Sequence, residues 1–184
     1  MDNKEKVLWI TRTAIFTALL IVLQAVTAPL GNMVTGSIVN LMLIASVMTC
    51  GPLSGLSVAA VSPVMARLLG IGPLWSLIPF IAAGNVTLVL LWHFIGNRRM
   101  GRKYTAFAAA LITAAAAKFL VLYIGIVQIA VPVFLGLPEQ QASVISNMFS
   151  IPQLITALIG GLLAIALLPA LKKAIGEGWE YFRR

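Results

Sequence analysis

The distribution of basic residues constrains the fold of this chain more than any other feature. Eleven of its thirteen lysines and arginines fall into three clusters, at the N-terminus, in the middle and at the C-terminus, and apolar sequence fills most of the rest. The clusters are Lys4, Lys6 and Arg12; Arg98, Arg99, Arg102 and Lys103; and Lys172, Lys173, Arg183 and Arg184. Because Lys and Arg stay on the cytoplasmic side of a bilayer, the pattern predicts a membrane protein with both termini and its middle loop in the cytoplasm.

The composition points to the same class of protein. Of the 184 residues, 60% are hydrophobic and only 10% are charged, which leaves too little polar cover for an ordinary soluble domain. A net charge of +8 would suggest a nucleic-acid partner in a soluble protein. Here the charges flank apolar segments, so membrane topology and contact with lipid headgroups explain them better than nucleic acid does.

The apolar segments predict an all-α integral membrane bundle. About 20 helical residues cross the roughly 30 Å hydrocarbon core, and only helices and closed barrels satisfy every backbone group there. Short alternating strands are absent from the sequence, so helices are predicted. The six predicted transmembrane helices are 9–28, 37–49, 53–69, 76–96, 105–131 and 151–171. We expect one domain over 1–184, with loops 27–36 and 131–150 covering a site on the outer side.

The first predicted span carries two alanines on one helical face. Ala14 and Ala18 form a small-x-x-x-small pair, which lets a partner helix approach closely in lipid. Such pairs also pack within a single protein, so the spacing alone leaves both roles open.

Several motifs together make the chain resemble the substrate-binding S components of energy-coupling factor (ECF) vitamin transporters. The resemblance rests on the size and topology, on Arg12 followed by the Ala14 and Ala18 pair, on the joint 51–55 (Gly-Pro-Leu-Ser-Gly), and on Gly160-Gly161-Leu162 before the ending 169–173.

The resemblance implies a function and a set of partners. The chain would be the substrate-specific subunit of an ECF-type ABC importer in a prokaryotic plasma membrane, binding a water-soluble vitamin or cofactor precursor on the outer side. Ala14 and Ala18 would dock on a transmembrane scaffold subunit that works with two ATPases. The chain has no phosphate-cradling Gly-rich loop of its own, so it would depend on those ATPases.

Two cations lie within predicted spans, away from the three clusters. Lys118 lies past the midplane toward the outer face, and Arg67 lies near the outer end of its span; no embedded Asp or Glu accompanies them. Three explanations remain open: a bound anion, hydrogen bonds to other helices or backbone carbonyls, or snorkelling to the outer headgroups. A bound anion would make the ligand a carboxylate or a phosphate.

Amide and aromatic side chains complete the predicted substrate site. The amides are able to donate and accept hydrogen bonds with a polar heterocycle, although they are equally suited to joining helices. They are Asn40, Asn85, Gln128, Asn147 and Gln153. Trp75 and Tyr123 could stack on a flat ring, while an interfacial position is the alternative for Trp75.

The distribution of catalytic residue types argues against an enzyme. The five acidic residues lie at the termini or in a loop, and the chain has one histidine and one cysteine, so we predict no catalytic site, no metal site and no cofactor. Two alternatives to the importer subunit remain: a self-sufficient secondary carrier, and a membrane assembly or regulatory protein that transports nothing.

Overall fold

The computed structural model describes residues 3–98 and 103–175, and every regular element within them is helical. The helices are α1 (Asn3–Thr27), α2 (Asn32–Cys50), α3 (Pro52–Leu68), α4 (Ile78–Gly96), α5 (Lys103–Leu122), α6 (Glu139–Met148) and α7 (Ile151–Ile175). Short 3-10 turns, Ala28–Leu30 and Trp75–Leu77, precede α2 and α4, and a π-helical segment, Tyr123–Leu135, continues α5. The prediction of an all-α protein is confirmed.

The helices have the length and composition that a bilayer demands. Within the described residues, five helical stretches are long and apolar enough to cross a membrane, and α3 is apolar but shorter, at 17 residues. The exposed surface is rich in large apolar side chains such as Ile15, Val22 and Leu162, which fits lipid contact and not water.

The two predicted outer loops are largely helical, so that part of the prediction was wrong. The chain reverses direction at Gly31, whose φ of 95° favours glycine, and α2 begins at the next residue instead of at Ser37. Farther along, α6 occupies half of 131–150. It begins after Pro138, with Gln140 and Gln141 exposed while Met148 turns inward, so its amphipathic pattern sustains a short helix.

Helix α2 lies at the centre of the bundle. Residues 40–50 are all buried, and α2 packs against α1, α3, α4 and α7. Its contact with α7 is close: a Cβ on Gly160 would lie 2.6 Å from both the Asn40 Cβ and the Ser37 carbonyl oxygen. Glycine is therefore required there for the two helices to approach, and this approach fixes the position of Asn40.

Candidate functional site

A cavity of about 410 Å³ lies at one end of the bundle. Its walls are formed by the C-terminal ends of α1, α3 and α5 and by the N-terminal ends of α2, α4 and α7. Helix α6 and residues 71–74, which connect α3 to α4, also line it. Arg98 and Lys172 lie at the other ends of α4 and α7. Each helix from α1 to α7 contributes at least one lining residue.

The polar centre of the cavity is a buried lysine held by two asparagines. Lys118 Nζ donates to Asn40 Oδ1 at 2.6 Å and to Asn85 Oδ1 at 2.8 Å, and the three side chains are at most 3% exposed. Because an ammonium group has three donors and no acceptor, both amides must turn their oxygens toward it. One N–H of Lys118 and the NH₂ group of Asn85 remain able to donate into the cavity.

A further layer of hydrogen bonds holds the cluster in place. Asn40 Nδ2 donates to Thr156 Oγ1 at 3.4 Å, and Thr156 Oγ1 donates to the carbonyl oxygen of Gln153 at 3.1 Å. Gln153 Nε2 in turn donates to the Met148 carbonyl at 3.1 Å, which joins the start of α7 to the end of α6. The lysine is thus positioned by α2 and α4, and α7 supports it through Asn40.

The electrostatic character of the cavity is positive. Lys118 and Arg67 both line it, and no Asp or Glu is among the described residues that do. Arg67 Nη1 has a long contact of 3.4 Å with the Gly72 carbonyl oxygen, which offers no countercharge. Two cations facing a shared space without a carboxylate favour a bound anion.

Two other polar atoms in the cavity wall have no partner within the described residues. The Oε1 atom of Gln24, in α1, and the Oγ atom of Ser62, in α3, are buried and make no hydrogen bond, and both residues line the cavity. Both oxygen atoms have almost no accessible surface, so a small molecule in the cavity does not reach them unless a side chain rearranges.

The structure brings together five of the nine predicted substrate-site residues: Lys118, Arg67, Asn40, Asn85 and Gln153. For Asn40 and Asn85, the alternative role of joining helices also holds, since both bind Lys118. The other four do not line the cavity. Gln128 and Asn147 are exposed, Trp75 is 52% exposed, and Tyr123 stacks on Phe119 with ring centroids 5.6 Å apart.

Three polar residues at or behind the cavity wall, Gln24, Ser62 and Thr156, were not predicted from the sequence. Gln24 is the one amide in the apolar run 9–28, and that isolation was a usable signal. Ser62 and Thr156 gave no such signal, because a helical hydroxyl normally bonds to a carbonyl of its own helix and then needs no other partner.

A second surface feature lies on the outside of the bundle. Ala14 and Ala18 are exposed and line an open groove between α1 and α3. The groove is formed by Trp9, Ile10, Thr13, Ala14, Thr17, Ala18 and Ile21 of α1 with Ser57 and Val61 of α3. A hydrogen bond of 2.7 Å between Thr13 Oγ1 and Ser54 Oγ joins the two helices. The alanine pair therefore faces an unfilled apolar space and not a helix of the same bundle.

Comparison with known proteins gives one family. The family model described as "ECF transporter, substrate-specific component" matches residues 9–172. No curated protein and no solved structure matches the chain. The matched range contains the cavity and the groove in full.

Proposed function

The chain belongs to the family of ECF transporter substrate-specific components, and from that premise we propose that it binds an anionic, vitamin-like small molecule in the cavity. The family consists of transporter components and not of enzymes, and the five long apolar helices in the described part of this chain point to a multi-pass membrane protein. The observation that carries the proposal is Lys118, a buried cation that faces the cavity and has only neutral partners.

The proposed orientation follows from the charges. Six spans, including the short α3, would leave both termini and the segment between α4 and α5 on the cytoplasmic side of a prokaryotic plasma membrane. Arg98 lies at that end of the bundle, and the cavity lies at the other. The cavity would therefore open toward the exterior, where an importer captures its substrate, with α6 near its mouth.

The groove on α1 and α3 supports a docking role. We propose that a helix of a scaffold subunit packs against Ala14 and Ala18, and that two ATPases bound to the scaffold drive delivery to the cytoplasm. Small side chains let helices approach closely in lipid, where packing drives association. The groove is apolar and open, as such a contact requires.

Transport reconstituted in liposomes tests this function. We expect uptake of the bound molecule only when the scaffold and ATPases are present with ATP. Changing Ala14 and Ala18 together to Trp should abolish uptake and co-purification with the scaffold, while leaving ligand binding to the isolated chain nearly unchanged.

A matched pair of substitutions on another face of the same helix provides the control. Ile15 and Leu19 have the same spacing, are 58% and 46% exposed, and lie outside the groove. Changing both to Trp should leave co-purification and uptake intact. Uptake by the chain alone would instead favour a secondary carrier, and equal loss with both pairs would contradict docking at the groove.

A further inference from the structure

The hydrogen bonds that lead from α7 to Lys118 run in one direction. The carbonyl oxygen of Gln153 can only accept, and Thr156 Oγ1 donates its single hydrogen to it at 3.1 Å. The hydroxyl oxygen can then only accept a further bond, which it does from Asn40 Nδ2 at 3.4 Å. Asn40 therefore turns its NH₂ group toward Thr156 and its Oδ1 atom toward Lys118 Nζ, from which it accepts at 2.6 Å.

The orientation of the Asn40 amide decides whether it can hold Lys118. Rotating an amide by half a turn exchanges its oxygen and its NH₂ group with almost no change in shape. In the reversed orientation the NH₂ group of Asn40 would face an ammonium group, and both groups can only donate. Lys118 would lose one of its two acceptors, so the hydroxyl that fixes the amide also fixes the ammonium group.

The second asparagine on Lys118 has no such anchor. Asn85 Oδ1 accepts from Lys118 Nζ at 2.8 Å, but the NH₂ group of Asn85 makes no hydrogen bond within the described residues. The two asparagines are therefore not equivalent. Asn40 is bound on both sides of its amide, whereas Asn85 is held only through its oxygen atom.

Packing holds the Thr156 hydroxyl where both of its bonds can form. Thr156 is 1% exposed, and a Cβ on Gly36 would lie 3.1 Å from its Cγ2 atom and 3.3 Å from its Oγ1 atom. A β-branched side chain in a helix has few rotamers, and the close approach of α2 limits them further. Thr156 does not line the cavity, so its effect on a bound molecule passes through Asn40.

We propose that Thr156 is a positioning residue of the cavity. Its hydroxyl keeps the Asn40 amide in the orientation that accepts from Lys118, and this holds the ammonium group at the cavity wall. The inference rests on the proposed function and deepens it, because it assigns a role in the anion site to a side chain that does not line the cavity.

NMR spectroscopy of the ¹⁵N-lysine-labelled chain in detergent micelles tests the inference without any bound molecule. A buried, hydrogen-bonded ammonium group exchanges its protons slowly enough to give a signal, and the absence of that signal in Lys118→Met assigns it. We expect the Lys118 signal in the wild-type chain and in Thr156→Ser, which keeps the hydroxyl, and its loss in Thr156→Val, which has nearly the same shape but no hydroxyl.

Thr49→Val is the matched control. Thr49 is also a buried helical threonine, 2% exposed, but it donates to the Ala45 carbonyl oxygen and lies outside the cavity. This variant should keep the Lys118 signal. If Thr156→Val does not fold, Thr156→Ala also lacks the hydroxyl, needs no more space and gives the same readout.

A change at Asn40 separates positioning from packing. A carboxylate has two equivalent oxygen atoms, so Asn40→Asp would accept from Lys118 in either orientation. In that background, Thr156→Val should no longer remove the Lys118 signal. Loss of the signal in both backgrounds would show that Thr156 acts only by packing and would overturn the inference, as would a signal that persists in Thr156→Val alone.

Titration with acetate and with inorganic phosphate tests the proposed anion site separately. We expect either anion to shift the Lys118 signal of the wild-type chain, and Thr156→Ser to need no more than about twice the wild-type concentration for half of the shift. No shift with either anion would contradict the anion site but leave the positioning of Lys118 by Thr156 standing. Absence of the Lys118 signal from the wild-type chain would contradict the hydrogen-bonded ammonium group on which both rest.

Discussion

Lys118 shows how a cation is accommodated inside an apolar bundle. Its two neutral partners, Asn40 and Asn85, satisfy two of its three N–H groups without removing its charge. A structural lysine would gain more from a carboxylate, since an uncompensated charge in a low-dielectric interior is costly. The arrangement leaves both a charge and a donor available, which are the properties that an anion site needs.

Substitution of Lys118 tests its role in binding. We expect Lys118→Met to weaken binding of an anionic ligand by more than about tenfold, because a charge-assisted hydrogen bond contributes roughly 1.5–3 kcal/mol. Isothermal titration calorimetry in detergent measures the change. Lys172→Met, at the other end of the bundle, should leave the affinity unchanged; unchanged affinity in Lys118→Met would remove the residue from the site.

A nearly isosteric change at Asn85 tests the sign of the charge. Asn85→Asp would place a carboxylate about 2.8 Å from the ammonium group and form an ion pair. We expect affinity for an anionic ligand to fall by more than about tenfold, because the ligand would compete with the new carboxylate, while the melting temperature does not fall. Unimpaired affinity in a folded Asn85→Asp variant would show that the ligand brings no anion to this wall.

Part of the site could be predicted from sequence at the level of residues. Depth along the helices and the shortage of embedded acids identified Lys118 and Arg67, and the amides Asn40, Asn85 and Gln153 also line the cavity. Gln128 was expected there as an amide near the outer end of its span, yet its side chain is exposed. The depth of a residue in the membrane shows which end of its helix it is near, but not which face of the helix its side chain occupies. Residues 123–135 form a π-helix, so their side chains point in other directions than they would in an α-helix.

At the scale of elements, the contact between α2 and α7 positions the polar cluster. Gly36 faces Thr156, and Gly160 faces Asn40, so the two helices run in parallel and in close contact along the cavity wall. Asn40 bonds to Thr156 across this contact and to Lys118 on its other side. The spacing of the helices therefore determines where the ammonium group is held.

Adding one methyl group at Gly160 tests this dependence. The new Cβ in Gly160→Ala would lie 2.6 Å from the Ser37 carbonyl oxygen, so α2 or α7 must shift. We expect a loss of about 1–3 kcal/mol in stability from overpacking and weaker ligand binding, measured by thermal unfolding and by titration. Leu162→Ala, on the exposed face of α7, should change binding little; unaltered binding and melting in Gly160→Ala would contradict the tight contact.

Helix α6 shows why element boundaries were harder to predict than element types. Long apolar runs predicted the membrane helices, because burial in lipid demands both length and low polarity. The segment Glu139–Met148 is short and polar, with two prolines upstream, so its composition indicated a loop. Packing of Ile145, Met148 and Phe149 over the cavity is a tertiary effect that local composition does not contain.

At the scale of the molecule, the cavity and the described basic residues of the clusters lie at opposite ends. Their positions follow from the alternating direction of the helices, because the C-terminal ends of α1, α3 and α5 all lie at the cavity. The positive charges at the far end would hold that end in the cytoplasm. A bundle oriented in this way would present its cavity to the exterior and its apolar groove to neighbours within the membrane.

Site-directed labelling tests the orientation. In a Cys50→Ser background, we expect Gln140→Cys in α6 to react with a membrane-impermeant maleimide applied to intact cells. Arg98→Cys should react only after the membrane is permeabilised. Labelling of Arg98→Cys from outside would invert the topology and contradict the account of capture at the outer face.

The most direct measurement of the central claim is native mass spectrometry of the wild-type chain purified in nanodiscs, followed by identification of the small molecule it carries. We predict one bound molecule per chain that contains a carboxylate or phosphate, and that dissociates with a constant below about 1 μM. A chain that binds no small molecule, or that binds a neutral or cationic one equally well in the wild type and in Lys118→Met, would contradict the account.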